Sequence, residues 1–421
     1  MPTDSRGVDQ TPPNNVKLWT RDFTLVTLAT ILGAAGGIAG EFALSFFVFD
    51  ETGSTLASAL VIAIQLVPHV FVPLAISPFM DRLPRKAFLI AGDVVCGLAY
   101  AALGSWFAFS TFSYLGYLVI SLLLACLEAV DSLAWTSIYP EVIPKGAEQR
   151  GYAVSSMLFT TLMVIMTPLA AVLLDTVGVA RLLMIQGGLA IAAAFIESFV
   201  HVVEHKREQT EETGFALWLS DIREAAAWLK DERGVRGLMA YMAVTNGLGT
   251  GFAPILVAFF RTTPGFSAAL YALFSGAESV GHALGSAVQY KVNVSREKRF
   301  GLCLFVYLFF DFMDVILLWL PYPLMLANRA TCGFLGANSY ILRESAMQRY
   351  IPEHMRSRVN AFQDAFITAL CSVCALAVGA LGEVLDYRVC VSLCGIVAIV
   401  ASLVLVWGRR DHVRKIFEAC D

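Results

Sequence analysis

Residues 138–154, IYPEVIPKGAEQRGYAV, and residues 347–362, MQRYIPEHMRSRVNAF, decide the fold when laid on one another. Pro144 then falls on Pro352 and Arg150 on Arg358, at an offset of 208 residues. A second pair, FDETGSTLASAL from Phe49 and FRTTPGFSAALY from Phe260, matches at an offset of 211. Two agreements at nearly one spacing imply a duplicated unit of about half the chain.

Outward from these stretches the chain is apolar. It is 57% hydrophobic and only 15% charged, with a mean hydropathy of +0.67. That leaves too little polar surface to cover several water-facing cores. Twelve apolar stretches recur, at 22–49, 55–79, 87–109, 112–139, 149–174, 179–203, 234–260, 266–290, 299–320, 322–348, 357–382 and 387–408. Each is long enough to cross the hydrocarbon of a bilayer as a helix. The sequence therefore predicts an all-α membrane protein of twelve transmembrane helices in two pseudo-symmetric six-helix bundles. The expected division is 1–203 for the first bundle with a short polar tail, 204–233 for a linker, and 234–421 for the second bundle with its own tail.

All but five of the 30 Lys and Arg fall on the side of the membrane that holds both termini. Arg181, Arg261 and Arg388 lie in the loops of the other side, and Arg329 and Arg343 lie inside spans. The positive-inside bias thus places the N- and C-termini in the cytoplasm of a cell that carries the protein in its cell membrane. The polar, proline-bearing N-terminus reads as a tail rather than a cleaved signal, since the first span can itself direct insertion.

Cysteine usage adds no chemistry. Cys371 and Cys374 form a CxxC, but within ALCSVCALAVGA on a helix they read as small packing residues, and no disulfide is expected. The linker is the most polar part of the chain. Phe215, Trp218, Ile222, Ala225 and Leu229 recur there at helical spacing, with Asp221, Arg223, Glu224 and Lys230 on the opposite face. This predicts an amphipathic helix bracing the terminal side at the membrane surface.

Between the second and third spans stands SPFMDRLPRK, residues 77–86. Any loop on the cytoplasmic side collects bases, but the order Asp81-Arg82-Leu83-Pro84-Arg85-Lys86 is more specific. It resembles the D-R-x-G-R-[RK] signature of the major facilitator superfamily, with Pro84 in place of the usual glycine and Ser77 where the signature begins with glycine. Together with TGSTLASALVIAIQLVP after the first span and the six-plus-six repeat, it is similar to the branch of macrolide and enterobactin exporters. The resemblance implies that this loop latches the two halves in the outward-open state, with Asp81, Arg82, Arg85 and Lys86 as gating residues. Two departures stand out. Span 4 lacks the arginine of many proton-driven members, and span 5 keeps only Thr167-Pro168-Leu169-Ala170-Ala171 of the antiporter motif.

A charge at mid-membrane costs about 2.5–3.5 kcal/mol on insertion scales, so each must face protein or a wet cavity. The ionisable residues read within spans are Glu41, Glu128, Asp131, Glu278, His282, Asp311, Asp314, Arg329, Arg343, Glu344 and Asp364. Asp311, Asp314 and Arg329 read as an internal salt bridge. Glu278 and His282, four apart, can hydrogen-bond to each other, and they have too few neighbouring ligands for a metal. Glu128 and Asp131 share a helical face, read either as a shared-proton pair or as a structural one. Spans 1, 4, 7 and 10 line the cavity in the resembled fold. This favours Glu41, Glu128, Asp131, Trp135 and Asn246 as substrate- or proton-binding residues, and Arg343 and Glu344 near the end of their span as gating residues.

The expected function is secondary active transport, proton-coupled efflux of amphipathic drug-like or siderophore-like molecules by alternating access. Protons, a small-molecule substrate and the lipid bilayer are the implied partners. Nothing implies a nucleic acid, and a monomer suffices. An importer or facilitator of a small metabolite is the alternative suggested by the two departures, and accumulation assays separate the directions. A non-transporting receptor or scaffold would bind through the linker and move no solute. No nucleophile–base set or Gly-Lys phosphate loop is present, so neither an enzyme, a cofactor nor ATP is called for.

Overall fold

The computed structural model describes residues 17–80, 85–144, 147–201, 215–291 and 294–418, with helices, turns and no strand among them. The first half holds α1 (Arg21–Thr52), α2 (Thr55–Met80), α3 (Arg85–Phe109), α4 (Tyr114–Val142) and α5 (Glu148–Ser198). Then come the linker helix α6 (Phe215–Asp231) and α7 (Arg233–Thr262), α8 (Ala268–Lys291), α9 (Arg296–Ile316), α10 (Tyr322–Tyr350) and α11 (Glu353–Val384). α12 (Tyr387–Ala401) runs on through a π-turn, Ser402–Val406, toward the terminal α13 (Arg410–Glu418). The described residues of the apolar stretches lie mainly on these helices, two stretches sharing α5 and the last running over α12 and the turns that follow it.

Lipid offers no partner for backbone polar groups, so apolar runs must fold as helices whose hydrogen bonds close internally. Their ends are set by local chemistry. Thr20 accepts from the Phe23 amide at 3.2 Å and starts α1. Gly53, at φ 63°, ends it by turning its N–H onto the Phe49 carbonyl at 2.7 Å.

Nine helices are long and apolar enough to cross a membrane among the described residues. α5 is one of them, and its 51 residues would span over twice the ~30 Å of a hydrocarbon core at ~1.5 Å per residue. It breaks at Gly178, whose φ of 79° and ψ of 163° no side chain tolerates well. The chain reverses there. Ala170 and Gln186, eight residues before and after it, both pack against the same stretch of α1, around Ala39 and Gly40.

α8 and α10 fall outside those nine because they carry Glu278, His282, Arg329, Arg343 and Glu344. They instead pack on each other through glycine. A Cβ on Gly281 would stand 2.0 Å from the Ala330 carbonyl oxygen, one on Gly285 2.2 Å from that of Phe334, and one on Gly333 2.1 Å from that of Glu278. Close backbone approach of this kind is what holds helices together where lipid gives no hydrophobic drive. The CxxC behaves likewise: Gly247 and Gly251 of α7 pack against Cys374 and Val378 of α11.

The two ends of the bundle differ. At the end that carries the termini, one core unites Leu18, Phe23, Leu89, Ile138 and Val142 of the N-terminal half. A separate core unites Leu229, Val235, Leu342, Val359, Ile416 and Phe417 of the C-terminal half. The two share no helix. At the far end a single core crosses between the halves, joining Ala39, Phe42, Phe46 and Ala171 to Val257, Ala258, Ala268 and Ala272. α6 is helical as the spacing predicts. It buries Ala225 and Leu229 in the C-terminal core, and its Glu224 pairs with Arg358 of α11 at 2.8 Å. The side chains of Phe215, Trp218, Asp221 and Ile222 lie outside the described residues.

Candidate functional site

The N-terminal half presents carboxyls. Glu41 lies near the middle of α1, ringed by protein yet solvent-accessible, the condition of a group that lines a cavity. It is within electrostatic reach of Glu128 on α4 and Tyr271 on α8. Gly37 and Gly33, one and two turns before it on the same face, have open space where a Cβ would be. α1 is thus stripped of side chains on the side that leads to Glu41. Glu128 accepts a hydrogen bond from the Tyr100 hydroxyl of α3, and exposed His69 of α2 acts on it electrostatically. Asp131, one turn along α4, has a buried Oδ1 with no hydrogen-bond partner among the described residues. Gly92 of α3 makes room for it, since a Cβ there would stand 2.7 Å from that oxygen.

Two further carboxyls complete this wall, Asp93 of α3 and Glu197 of α5. They lie within hydrogen-bonding reach of each other, and both act on Asp131 or are acted on by it. Glu197 is only 3% exposed. Sequence reasoning passed over both, although an acid inside an apolar stretch is itself the signal that finds them.

In the C-terminal half the charges are paired. Arg329 of α10, 4% exposed, donates to Asp314 of α9 and lies 3.8 Å from Glu278 of α8. Its guanidinium stacks 5.7 Å from the ring centroids of both Phe274 and Phe310. The expected salt bridge is therefore made by Asp314, with Glu278 as a third member. Asp311 turns instead to the Ser402 hydroxyl at 2.6 Å, at the π-turn that follows α12. Glu278 faces Arg329 at 3.8 Å rather than pairing with His282, as a carboxylate favours the charge-assisted contact with a guanidinium.

Of the residues singled out in the sequence, Glu41, Glu128 and Asp131 come together. Asn246 stands exposed on α7 of the opposite half, its amide donating to the Met242 carbonyl at 2.8 Å. Trp135 is engaged within its own half, donating to Thr30 at 3.1 Å and stacked on Tyr139 at 4.6 Å. Arg343 turns inward toward Tyr307 and stacks over Tyr340 at 5.3 Å. Glu344 accepts from Gln348 at 2.8 Å. Asp364 is exposed on α11, within electrostatic reach of Glu344. Asp81 and Arg82 lie outside the described residues, as does the side chain of Arg85. Lys86 donates to the Ser198 and Val200 carbonyls, both at 2.7 Å, and so ties the start of α3 to the end of α5.

At the far end the halves are joined by polar contacts. Arg261 of α7 donates to Asp50 of α1 at 2.7 Å and stacks over Phe46 at 5.3 Å. Glu383 of α11 serves as N-cap of α2, a helix of the other half. Its Oε1 accepts from the Leu56 amide at 2.9 Å and from the Ser54 and Thr55 hydroxyls at 2.7 and 3.1 Å. A capping side chain is worth about 1 kcal/mol, so Glu383→Ala should shift a far-end opening equilibrium by roughly fivefold. A cysteine placed at buried Ser58 of α2 should then react faster with an impermeant maleimide by that factor. An unchanged rate would mean that the contact does not hold the end shut.

No family model matches this chain, and no curated protein matches it in sequence. Solved structures do match in three dimensions. A bacterial homologue of the human lysosomal transporter Spinster, in an inward-facing and unoccupied conformation, aligns with a TM-score of 0.63 and 13% identity. That alignment covers 94% of this chain and 92% of the other. The nucleoside transporter NupG aligns at 0.68 and 10% identity over 92% and 98%. A POT family transporter in complex with a thioalcohol-conjugated peptide aligns at 0.68 and 10% over 93% and 96%. At such identities the likeness carries the architecture alone, and that architecture is definite: the chain is an all-α membrane protein with the major facilitator fold.

Proposed function

We propose that this protein is a secondary active transporter which couples proton movement to efflux of amphipathic drug-like or siderophore-like molecules by alternating access. The observation that carries the reading is Glu41. It is a solvent-accessible carboxyl within a membrane helix, with another acid, Glu128, in electrostatic reach and no salt bridge to a base among the described residues. An acid so placed binds a proton or a cationic group, and one site that takes either in turn exchanges them. The halves, closed at the far end and separate at the end of the termini, supply the alternating mouth. With the termini in the cytoplasm, as the distribution of bases favours, this is the inward-facing state. Glu41, Glu128 and Asp131 take the proton and the cationic part of the solute. Asn246, exposed on α7, is the expected contact from the other half, and Trp135 holds α4 to α1. Lys86, Arg343 and Glu344 stand at the end that must close when the far end opens, with Asp81, Arg82 and Arg85 as their expected companions.

The purified protein in liposomes should drive uptake of a fluorescent amphipathic cation such as ethidium when a proton gradient is imposed. The double variant Glu41→Gln/Asp131→Asn should lose the gradient-driven part, a reduction of about a hundredfold on the scale of removing positioned proton-transfer groups. Equal fluxes with and without the gradient in the unaltered protein would sink the coupling.

A further inference from the structure

Glu41 and Glu128 lie at mid-depth, where a proton taken from one side must still reach the other. Asp131 stands one turn nearer the end of the termini, and Asp93 is in the third turn of α3 from that same end. Glu197 is the penultimate residue of α5, followed by exposed Ser198 and Phe199. The carboxyls are thus strung in order of depth along the inside of the N-terminal half. They follow the seam of α4, α3 and the second limb of α5, away from the face that carries Gly33, Gly37 and Glu41. We infer that Asp131, Asp93 and Glu197 form a proton relay, a path through the N-terminal half that links the mid-depth carboxyls to the end of the termini without passing through the space between the halves.

Three observations carry it. A carboxylate only accepts hydrogen bonds, so Asp93 and Glu197, facing each other within bonding reach, are bonded only when a proton is held between them. Glu197 is only 3% exposed, and its Oε2, like Oδ1 of Asp131, has no hydrogen-bond partner among the described residues. A mobile proton is a ligand that satisfies such atoms in turn. The space is also kept for it: Gly92 admits the Asp131 carboxyl beside Asp93, where any side chain would collide.

The groups that face the relay fit this role. From α4 it meets Glu128, from α3 the buried Cys96. Tyr100 of α3 donates to Glu128, and Glu41 of α1 faces Glu128 from the cavity side. At the exit, Lys86 is bound to the Ser198 and Val200 carbonyls. Asp22 of α1 accepts from the His201 amide at 3.0 Å, with the His201 ring 4.0 Å away. A step moves one proton from the Asp131 carboxyl to the Asp93–Glu197 pair while Glu197 gives one to water at the helix end. No electron or heavy atom moves.

The inference rests on the transport reading only for the direction of proton flow, and its test needs no substrate. Infrared spectra of the full-length protein transferred to deuterium oxide follow the carboxyl bands as they exchange, and the Asp131→Asn difference spectrum assigns the Asp131 band. Glu197→Gln and Asp93→Asn should each remove the shared-proton band and slow exchange at Asp131 by about a hundredfold. Asp93→Asn/Glu197→Gln keeps a hydrogen bond between the two side chains without a shuttling proton, and should exchange as slowly as either single variant while retaining the fold. Exchange at Asp131 as fast in all three variants as in the unaltered protein overturns the relay. A second arm measures ethidium uptake into liposomes across a range of pH. If exchange depends on Glu197 while no proton gradient drives ethidium, the relay stands and the efflux reading fails. If the gradient drives ethidium equally, with the same pH profile, in the unaltered protein and Glu197→Gln, the relay fails and the efflux reading stands.

Discussion

Replacing Arg329 by methionine should destabilise the protein by about 3–5 kcal/mol, the cost of leaving a buried charge without its partner. Asp314, in hydrogen-bond contact with the guanidinium and itself 6% exposed, would face Asp311 and the Phe rings with nothing to neutralise it. Glu278 would lose its cation as well. The fall should appear as a lowered thermal midpoint in detergent, read by tryptophan fluorescence or by the reactivity of the buried cysteines. The double variant Arg329→Met/Asp314→Leu should recover the part of the loss that belongs to Asp314, because removing both of these partners removes their desolvation cost while Glu278 still lacks its cation. A single variant as stable as the unaltered protein would show that Asp314 and Glu278 are solvated or protonated where they stand.

The second large effect belongs to the glycine seam of α8 and α10. Gly333→Val puts its Cβ 2.1 Å from the Glu278 carbonyl oxygen and 3.0 Å from the His282 nitrogen. Both are backbone atoms of a helix that cannot yield alone. The helices must separate, at about 3 kcal/mol, the upper part of the usual range for overpacking. Gly276 on the same α8 has open space at the corresponding point. Gly276→Ala should therefore be neutral or stabilising by about 0.5–1 kcal/mol through helix propensity. Equal thermal midpoints for Gly333→Val and Gly276→Ala would mean that the seam is not a packing constraint.

The architecture was legible because lipid forces a one-to-one relation between apolar run and helix. Even the break at Gly178 falls between two stretches that length alone separates. The membership of the site was legible only in part. Glu41, Glu128 and Asp131 announce themselves as acids far from any span end. Asp93 and Glu197 also lie inside apolar stretches, but nothing in the sequence ties one to the other, and only the packing of α3 against the second limb of α5 brings them to one seam. Asp311 illustrates the remaining gap. Its spacing from Asp314 puts both acids on one face of α9, but the π-turn after α12 decides which of them meets a hydroxyl and which meets Arg329. These helices are apolar all round, so hydrophobic periodicity does not set their rotation. Depth is thus written in the sequence far more plainly than azimuth.

Asp50 and Arg261 are 211 residues apart, the spacing of the internal repeat, so each occupies the place that its partner holds in the other copy. Their contact therefore lies on the pseudo-two-fold axis, where a dimer of identical ancestors would have set a residue against itself. Two aspartates or two arginines there repel, while one of each attracts. The two copies of the repeat are in this way chemically distinct hands, and the clasp at this end takes one of each.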